Sequence, residues 1–437
     1  MRLFLDISRL HQRGSRSTPS GIDRVEFAYL CHTLDPDRWP HEVVHVLSPK
    51  LRAGALAPAR AAEIHRQISK SWGAKVTPDK DPAYLALKTE LEKPLGTAVS
   101  AIRLNGATPV AGWGQAIHYP RDVFRNGARL TRRLTRLSAA QSIYLHTSHS
   151  YLDQPELFGW LRLHQVPAVF FLHDVIPIDY PEFCRPGEDQ RHLTRLKTIS
   201  ELATLVLVNS DYTAKAARAH FEANHWPVLR FITVPLGVSD CFHTRDGLLP
   251  PVSTHPYAIF VGTIEPRKNL AFLLAVWRRL VEQYGERTPR LVIAGRRGWE
   301  NENVLDILER SSLLAPFILE VSDLGDAAIA SAIAGAEVLL APSIVEGFNL
   351  PIVEGLALAT KVIASDIPVH REIAMGYAHL VDPLDGPAWA RSIASACGLE
   401  GAPPLPSIPP GFKALTWAEH VAVAMQKISE TLAEVAP

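Results

Sequence analysis

The sequence predicts an α/β protein with two domains, each built on a parallel β-sheet. The chain has 437 residues, which exceeds the size at which a single hydrophobic core usually stops growing. Short apolar segments of strand length alternate with longer segments of helical periodicity, most regularly in the second half of the chain. Such alternation is typical of parallel sheets covered by helices, which bind ligands beyond the carboxyl ends of their strands. Functional residues are therefore expected in the loops that follow the strands.

The first half is predicted to contain six strands, separated by helices and loops. These strands lie at residues 3–7, 41–47, 143–145, 166–172, 205–208 and 231–234. Residues 50–115 have poor periodicity, which indicates either helical excursions or an insertion. The proline-rich segment 248–253 is typical of a linker between two halves.

The second half alternates regularly between strands and helices. Strands are predicted at residues 257–262, 290–294, 317–321, 337–341 and 361–364. Helices are predicted at residues 269–282, 302–310 and 327–334, and a further helix starts near Pro351. A second proline-rich stretch, 402–410, precedes a final helix at residues 417–434.

The composition argues against several classes of protein. Lysine plus arginine and aspartate plus glutamate both number 45, so no nucleic-acid partner is expected. The four cysteines have no paired spacing, which indicates reduced thiols in a cytosolic protein rather than disulfides or a zinc site. No apolar segment has the length of a signal peptide or a membrane span, so the predicted location is cytoplasmic.

The segment Ser343 to Glu354 carries two carboxylates eight positions apart, Glu346 and Glu354. Glu346 is predicted to follow a buried strand, and Glu354 to lie in the first turns of the next helix. The loop and helix start between them contain Gly347, Phe348, Asn349 and Leu350. Backbone N–H groups at this positive end of a helix can hold an anion, while the carboxylates can accept hydrogen bonds from hydroxyl groups. A sugar nucleotide presents both kinds of group.

This segment resembles the paired-glutamate motif of retaining glycosyltransferases with the GT-B fold, in which two Rossmann-like domains with parallel sheets face each other across a cleft. The family is that of group 1, family 4-like enzymes, which includes bacterial polysaccharide mannosyltransferases. The resemblance implies that Glu346 contacts the donor sugar and that Glu354 binds the ribose hydroxyls. The chain departs from the family at Asn349, where Gly-Phe-Gly is usual. Asparagine tolerates left-handed backbone geometry, so the loop can persist, although donor preference could differ.

The resemblance covers most of residues 255–437 and the first half in patches. It implies an acceptor-binding domain at residues 1–250 and a nucleotide-sugar-binding domain at residues 255–410. It further implies that the segment 411–437 forms a helix that packs back toward the first domain.

Two adjacent cations, Arg267 and Lys268, follow the first strand of the second half, at a helix start. Arginine can bind two phosphate oxygens at once, and lysine supplies a compact charge. The resemblance implies that this pair holds the donor diphosphate, whereas such a pair alone is more often a solvated surface. The family's donor pocket also implies binding roles for Gly21, Gly262, Gly295 and Val321.

In the first half, His173 and Asp174 directly follow an apolar strand. The resemblance implies that His173 orients the donor sugar and that Asp174 fixes the loop or the imidazole tautomer beside the acceptor. A histidine that merely completes the end of a strand is the alternative. Further acceptor-binding candidates are Arg24, which could bind an anionic acceptor, and His146 and Ser148, at a hydroxyl-rich strand end.

No metal or other cofactor is expected. The pairs Asp35/Asp37 and Asp79/Asp81 have the spacing of metal-dependent sugar transferases, but their surroundings indicate polar turns. Residues 121–137 could form a basic amphipathic helix, either a solvated surface or a peripheral contact with anionic lipid at the inner face of the membrane.

These observations together predict a metal-independent retaining glycosyltransferase of surface polysaccharide synthesis. It would move a hexose, with mannose favoured, from a nucleoside-diphosphate sugar to a glycan or a lipid-linked oligosaccharide. The alternatives are a sugar-nucleotide epimerase of the same fold and a non-catalytic glycan- or lipid-binding protein. A nicotinamide-dependent dehydrogenase is disfavoured, because the turn after Val261 lacks the glycine-rich dinucleotide fingerprint.

Overall fold

The protein is represented by a computed structural model, which describes residues 2–14, 19–48, 53–72, 76–96, 101–102, 130, 142–406 and 409–435. Within these ranges the chain forms two seven-stranded sheets covered by helices. The predicted α/β protein with two parallel-sheet domains is thereby confirmed.

The first sheet has the strand order β3-β2-β1-β5-β6-β7-β8. Its strands are β1 Arg2–Asp6, β2 Val43–Leu47, β3 Gly54–Ala55, β5 Ser142–His146, β6 Ala168–Leu172, β7 Leu205–Val208 and β8 Arg230–Thr233. All neighbouring strands are parallel except β2 and β3, which are antiparallel. The central strands β6 and β7 are buried along their whole length, as expected of parallel strands covered on both faces.

The second sheet has the strand order β14-β13-β12-β9-β10-β11-β4 and is parallel throughout. Its strands are β4 Ala101–Ile102, β9 Tyr257–Val261, β10 Arg290–Ala294, β11 Ile318–Val321, β12 Val338–Ala341, β13 Val362–Ser365 and β14 His379–Val381. Because β9 lies between β12 and β10, the loops after these three strands meet at one edge of the sheet. This edge carries most of the predicted site residues.

Helices cover both sheets. In the first half they are α1 Ser8–Arg13, α2 Gly21–Leu34, α3 Pro58–Ser71, α4 Pro82–Glu92, α5 Gly159–Leu163, α6 Ile176–Asp179, α7 Glu188–Leu202 and α8 Asp211–Ala223. In the second half they are α9 Leu270–Tyr284, α10 Glu302–Arg310, α11 Asp326–Gly335, α12 Leu350–Ala357, α13 Pro368–Ala374, α14 Gly386–Ala396 and α15 Trp417–Val435. None of the described helices is both long and apolar enough to cross a membrane.

The last helix, α15, packs on the first sheet domain. Its His420 Nδ1 donates a 2.8 Å hydrogen bond to the Pro235 carbonyl, and the imidazole ring lies edge-on to the Tyr29 ring of α2. The segment after β8 lies against the segment before α15 at Gly237, where a Cβ atom would lie 2.5 Å from the Thr416 carbonyl oxygen. Glycine is therefore required for this close approach.

Residues 82–96 and 101–102 belong to the first half of the sequence but pack on the second sheet. Strand β4 pairs with β11, and the carboxyl end of α4 is bound by Arg290 of β10. The Arg290 guanidinium, fully buried, donates to the carbonyl oxygens of Leu91 at 2.7 Å and Lys93 at 2.6 Å. A buried arginine thus supplies the hydrogen bonds that the last carbonyls of a helix lack.

The strands β3, β4 and β14 were not among those predicted, because two- and three-residue strands show no measurable periodicity. The helices α3 and α4 fall in the segment for which helical excursions or an insertion were expected. The segment 121–137, apart from Leu130, lies outside the described residues, so its proposed membrane contact stays a prediction, as do the domain boundaries.

Replacing Arg290 with alanine should lower the free energy of unfolding by about 3 kcal/mol, because buried carbonyl groups would lose their donor. Urea denaturation followed by circular dichroism measures this change. Arg287→Ala is the matched control, since Arg287 makes an exposed ion pair with Glu400 and its loss should cost less than about 0.5 kcal/mol. Equal stability of the two variants would contradict the role assigned to Arg290.

Candidate active site at the junction of the two sheets

The centre of the candidate site is the Glu346 carboxylate, in the loop after β12. Lys268 Nζ lies 2.6 Å from Glu346 Oε1, and the Arg267 guanidinium donates to the other carboxylate oxygen. Ser343 Oγ also donates to Oε1, at 2.9 Å. These residues meet because β9 and β12 are neighbours and their following loops share one edge of the sheet. The structure therefore brings together three of the four predicted catalytic residues.

A second carboxylate completes this charge cluster. Glu265 Oε1 accepts from Arg267 Nη2 at 2.5 Å, so the Arg267 guanidinium lies between Glu265 and Glu346. The two loops are also joined through their backbones, since Ile344 N–H donates to the Arg267 carbonyl at 2.9 Å. Both cations are largely buried, at 22% and 10% side-chain exposure. The cluster is thus a preformed, nearly dry ion-pair network.

The charges in this network decide which groups are ionised. Burial alone would raise the pKa of Glu346, but the charges of Arg267 and Lys268 outweigh burial and lower this pKa to about 2. Burial likewise opposes the charge on Arg267, but Glu346 and Glu265 raise the pKa of its guanidinium above the ordinary value. Glu346 is therefore an anion and Arg267 a cation at neutral pH.

The glycine after Glu346 forms a contact with the first domain. A Cβ atom on Gly347 would lie 2.3 Å from the His173 carbonyl oxygen and 2.9 Å from the Asp174 Cβ atom. The Gly347 carbonyl accepts from Ser210 Oγ at 2.8 Å, and Asn209 Nδ2 donates to the His173 carbonyl at 2.9 Å. The loops after β6, β7 and β12 therefore meet at one point, and glycine is required there for lack of space.

His173 lies at this meeting point, buried at 4% exposure. Its Nε2 donates to the Thr147 carbonyl at 2.9 Å, because a carbonyl can only accept, and its ring stacks on Phe171. Burial lowers the pKa of His173 to about 3, so the imidazole is neutral. Asp174 stabilises the charge on Arg267 and accepts from Ile176 N–H at 3.1 Å, which holds the loop.

The start of α12 provides the amide end of a helix beside the cations. Asn349 precedes α12 and adopts left-handed backbone angles, φ 98° and ψ 74°. Such angles cost a residue other than glycine about 1 kcal/mol. Its side-chain Nδ2 donates to His370 Nε2 at 3.0 Å. Phe348 and Leu350 on either side are buried, which fixes the loop between the helix and the sheet.

The second glutamate of the motif, Glu354, lies in α12 and faces another charge cluster. Burial raises the pKa of Glu354 to about 7, while Arg24 opposes and Asp326 reinforces this rise. Arg24 of α2 binds Asp326 of α11 with both guanidinium nitrogens, the Nη2–Oδ1 distance being 2.6 Å. Ser239 Oγ donates to Asp326 as well, at 2.8 Å. Arg24, predicted to bind an acceptor, is in this structure an ion-pair partner between the two domains.

The glycines predicted to line the donor pocket are placed at the sheet edges. Gly21 starts α2 behind a Ser20–Asp23 capping box, and a Cβ atom on it would lie 3.7 Å from Leu350 Cδ1 of the other domain. Gly262 and Gly295 follow β9 and β10 and touch directly, since a Cβ atom on Gly295 would lie 1.8 Å from the Gly262 oxygen. Val321 is buried, and its carbonyl accepts from Gly295 N–H at 2.9 Å.

His146 and Ser148, two of the predicted acceptor-binding residues, lie inside the first domain. Both are fully buried. His146 Nε2 donates to the Ser150 carbonyl at 3.1 Å, and its Nδ1 accepts from Ser148 N–H at 3.3 Å. In this conformation both ring nitrogens of His146 form hydrogen bonds with the backbone of the loop that follows β5, so neither is available to a ligand.

The two aspartate pairs form local turns and caps. Asp35 accepts from Asp37 N–H at 3.0 Å, and Asp81 caps α4 through Ala83 N–H at 2.9 Å. Among the described residues no group of three or more His, Cys, Asp or Glu side chains is arranged to hold a metal ion.

Four residues of the site were not predicted from the sequence: Glu265, Asp326, His370 and Ser343. Glu265 and Ser343 lie two and three positions before Arg267 and Glu346, so their place in the sequence could have identified them as site residues. Asp326 and His370 become neighbours of Arg24 and Asn349 only through the tertiary fold, and their local sequences give no sign of it.

The arrangement can bind a dianionic group and polarise it. Arg267, Lys268 and the amide end of α12 are all within one cluster of loops, where the low dielectric strengthens electrostatic attraction. Glu346 already forms ion pairs with both cations. An incoming phosphate must therefore share these cations with the carboxylate or replace it.

Replacing Glu354 with glutamine should stabilise the ligand-free protein at high pH and have little effect at low pH. Below about pH 4.5 Glu354 is protonated in both the folded and the unfolded chain, whereas above pH 7 only the folded chain holds a desolvated charge. Stability is therefore lost as pH rises between these values, and glutamine should restore about 3 kcal/mol at pH 8 and less than about 1 kcal/mol at pH 5.

Denaturant unfolding at pH 5 and pH 8 measures this difference in stability. The control is Glu302→Gln, which changes an exposed glutamate. A Glu354→Gln variant that is equally stabilised at pH 5 and pH 8 would contradict the raised pKa.

The second half of the chain is similar in sequence to known proteins. Residues 255–397 match the family described as glycosyl transferases group 1. The O-antigen chain mannosyltransferase B of Escherichia coli is 28% identical over 253 residues, which cover 53% of this chain and 65% of that protein. The O-antigen chain mannosyltransferase RfbU of Salmonella typhimurium is 31% identical over 239 residues, which cover 53% of this chain and 62% of that protein. The chain thus spans less than two thirds of the length of these relatives.

Among solved structures, Anabaena HepE in complex with UDP matches 81% of this chain and 96% of that chain, with 14% identity and a TM-score of 0.48. The matched family segment runs from β9 to the end of α14 and contains Arg267, Lys268, Glu346 and Glu354. The part of the second sheet domain from β9 to α14 is therefore similar to the group 1 glycosyl transferases.

Proposed function

We propose that the chain is a glycosyltransferase that moves a hexose from a nucleoside-diphosphate sugar to a glycan or lipid-linked acceptor in surface polysaccharide synthesis. The observation that carries this proposal is the buried cluster of Glu346 with Arg267 and Lys268 at the amide end of α12. A diphosphate fits the two cations, and the carboxylate fits the hydroxyl groups of the attached sugar. The mannosyltransferase relatives favour mannose as the hexose, and the donor proposed here is GDP-mannose.

The pKa values of Glu346 and His173 favour transfer with retention of configuration. A general base works best with a pKa near the operating pH, but the pKa of Glu346 is lowered to about 2 and that of His173 to about 3. Neither group suits removal of a proton from the acceptor hydroxyl. The departing phosphate oxygen can take this proton itself, which requires attack from the same face of the sugar and therefore retention.

The remaining roles follow from position. Glu354 would bind the ribose, and His173 and Asp174 would orient the sugar from the first domain. Arg267 and Lys268 supply the positive charge that a departing diphosphate needs, so the proposed reaction uses no metal and no other cofactor. Binding of the donor between the two domains would exclude water and align the acceptor hydroxyl with the anomeric carbon.

Screening a panel of nucleotide sugars, each with and without candidate glycan acceptors, tests the proposed activity. A transferase should release nucleoside diphosphate faster when an acceptor is present, and NMR of the product should show the donor's anomeric configuration. Conversion of the donor without an acceptor would instead indicate an epimerase. Absence of nucleotide binding would indicate a non-catalytic protein.

Replacing Lys268 with alanine should lower the transfer rate at least 100-fold, because a single electrostatic contact to a transition-state charge is typically worth this factor or more. The control is Lys215→Ala, which removes an exposed lysine from α8 and should leave the rate unchanged. A Lys268→Ala rate within threefold of the unmodified protein would count heavily against the diphosphate role.

Replacing Glu346 with glutamine should separate binding from transfer. Without the carboxylate, Arg267 and Lys268 keep charge that is no longer balanced by Glu346, so GDP should bind about tenfold more tightly while transfer falls at least 100-fold. Isothermal titration calorimetry and a product assay measure the two effects. Weaker GDP binding in Glu346→Gln would contradict the competition between this carboxylate and phosphate.

A further inference from the structure

The contact between Asn349 and His370 links the motif loop to α13. Asn349 Nδ2 donates to His370 Nε2 at 3.0 Å, and His370 Nδ1 lies 2.9 Å from the Ser365 carbonyl oxygen. A carbonyl oxygen only accepts, so Nδ1 carries the imidazole proton and Nε2 offers its lone pair. The histidine thus connects the end of β13 to the start of α12 through one fixed tautomer.

The surroundings keep this histidine neutral and in place. His370 is fully buried in α13, and Asn349 is buried at 7% exposure. Burial lowers the pKa of His370 to about 4, so Nε2 remains an acceptor at neutral pH. Neither partner is exposed enough for water to replace the hydrogen bond readily.

The backbone at Asn349 explains why such a bond matters. The angles φ 98° and ψ 74° suit glycine, and any other residue needs additional interactions to hold them. Just before this residue, Gly347 is held by the contact with the His173 carbonyl, and directly after it α12 begins. A change of conformation at Asn349 would therefore rotate the first amide groups of α12 relative to Arg267 and Lys268.

We propose that His370 is a positioning residue: by holding Asn349 in the left-handed conformation, it directs the amide groups at the start of α12 toward the donor diphosphate. This inference rests on the proposed function, since it assumes that a nucleoside diphosphate binds there. In this chain the Asn349–His370 hydrogen bond supplies the rigidity, while a glycine at position 349 would reach the same angles without a partner.

A direct electrostatic effect of His370 on Glu346 is the competing explanation, because the two side chains lie close enough to influence each other's pKa. The two explanations differ in one respect. A positioning role disappears once residue 349 no longer needs the hydrogen bond, whereas a direct effect persists whatever residue occupies position 349.

A double-mutant cycle with His370→Ala and Asn349→Gly tests the inference in the full-length chain. The measurements are GDP and UDP binding by calorimetry, and KM and kcat for the nucleotide sugar that the unmodified protein uses. His370→Ala alone should weaken nucleotide binding and raise KM about tenfold, with kcat changed less than threefold. In the Asn349→Gly background, His370→Ala should change binding and KM less than twofold.

Two controls accompany the cycle. His379→Ala removes a half-buried histidine that contacts Ser392 at the edge of the same domain, and should leave nucleotide binding unchanged. Thermal unfolding of all variants shows whether they are folded. His370→Ala loses the Ser365 contact in both backgrounds but the Asn349 hydrogen bond in only one, so binding is compared at a temperature at which all four variants of the cycle are folded.

The inference is overturned if His370→Ala weakens nucleotide binding equally in both backgrounds, or if it has no effect in either. Binding of neither GDP nor UDP by the unmodified protein would instead contradict the proposed function, and the inference with it. Both the proposed function and the inference are supported if the unmodified protein binds a nucleotide and if His370→Ala weakens this binding strongly when residue 349 is asparagine but only slightly when it is glycine.

Discussion

The ion pairs of Glu346 with Arg267 and Lys268 are the interaction on which the candidate site depends. Burying any one of these charges alone would be costly, but together they form a network whose members satisfy one another. The network also joins the loops after β9 and β12. The same ion pairs therefore determine both the geometry of the site and the balance of its charges. We expect a ligand phosphate to share or take over contacts that Glu346 now makes.

The two domains meet through contacts of different chemistry at several places around this network. Gly347 packs against the His173 carbonyl, and Arg24 binds Asp326. The carboxylate of Glu372, in α13, accepts from the first amide groups of α8, including Tyr212 N–H at 3.0 Å. The proposed donor site is lined by both sides of this junction, so admission of a nucleotide sugar and the relative position of the domains are physically linked.

Prediction from the sequence was most successful where the signal is local. Alternation of apolar strands with amphipathic helices predicted both sheets, because burial of parallel strands demands that pattern along the chain itself. The tolerance of Asn349 for a left-handed conformation was also a local property, and the structure shows φ 98° there. The pairing of β4 with the second sheet had no such signal, since a two-residue strand is defined by its partner alone.

The sequence by itself determined the fold class and the presence of two carboxylates, two cations and a glycine in loops that follow strands. Only the tertiary structure decided their partners. Arg24 meets Asp326 across 302 positions of the chain, and Asn349 meets His370 on a different helix. His146, polar and at a strand end, proved to be enclosed by its own domain. Backbone preference and hydrophobic periodicity depend on neighbouring residues, so they can be recognised in the sequence. Hydrogen bonds and ion pairs between residues far apart in the chain depend on distances that only the tertiary fold determines.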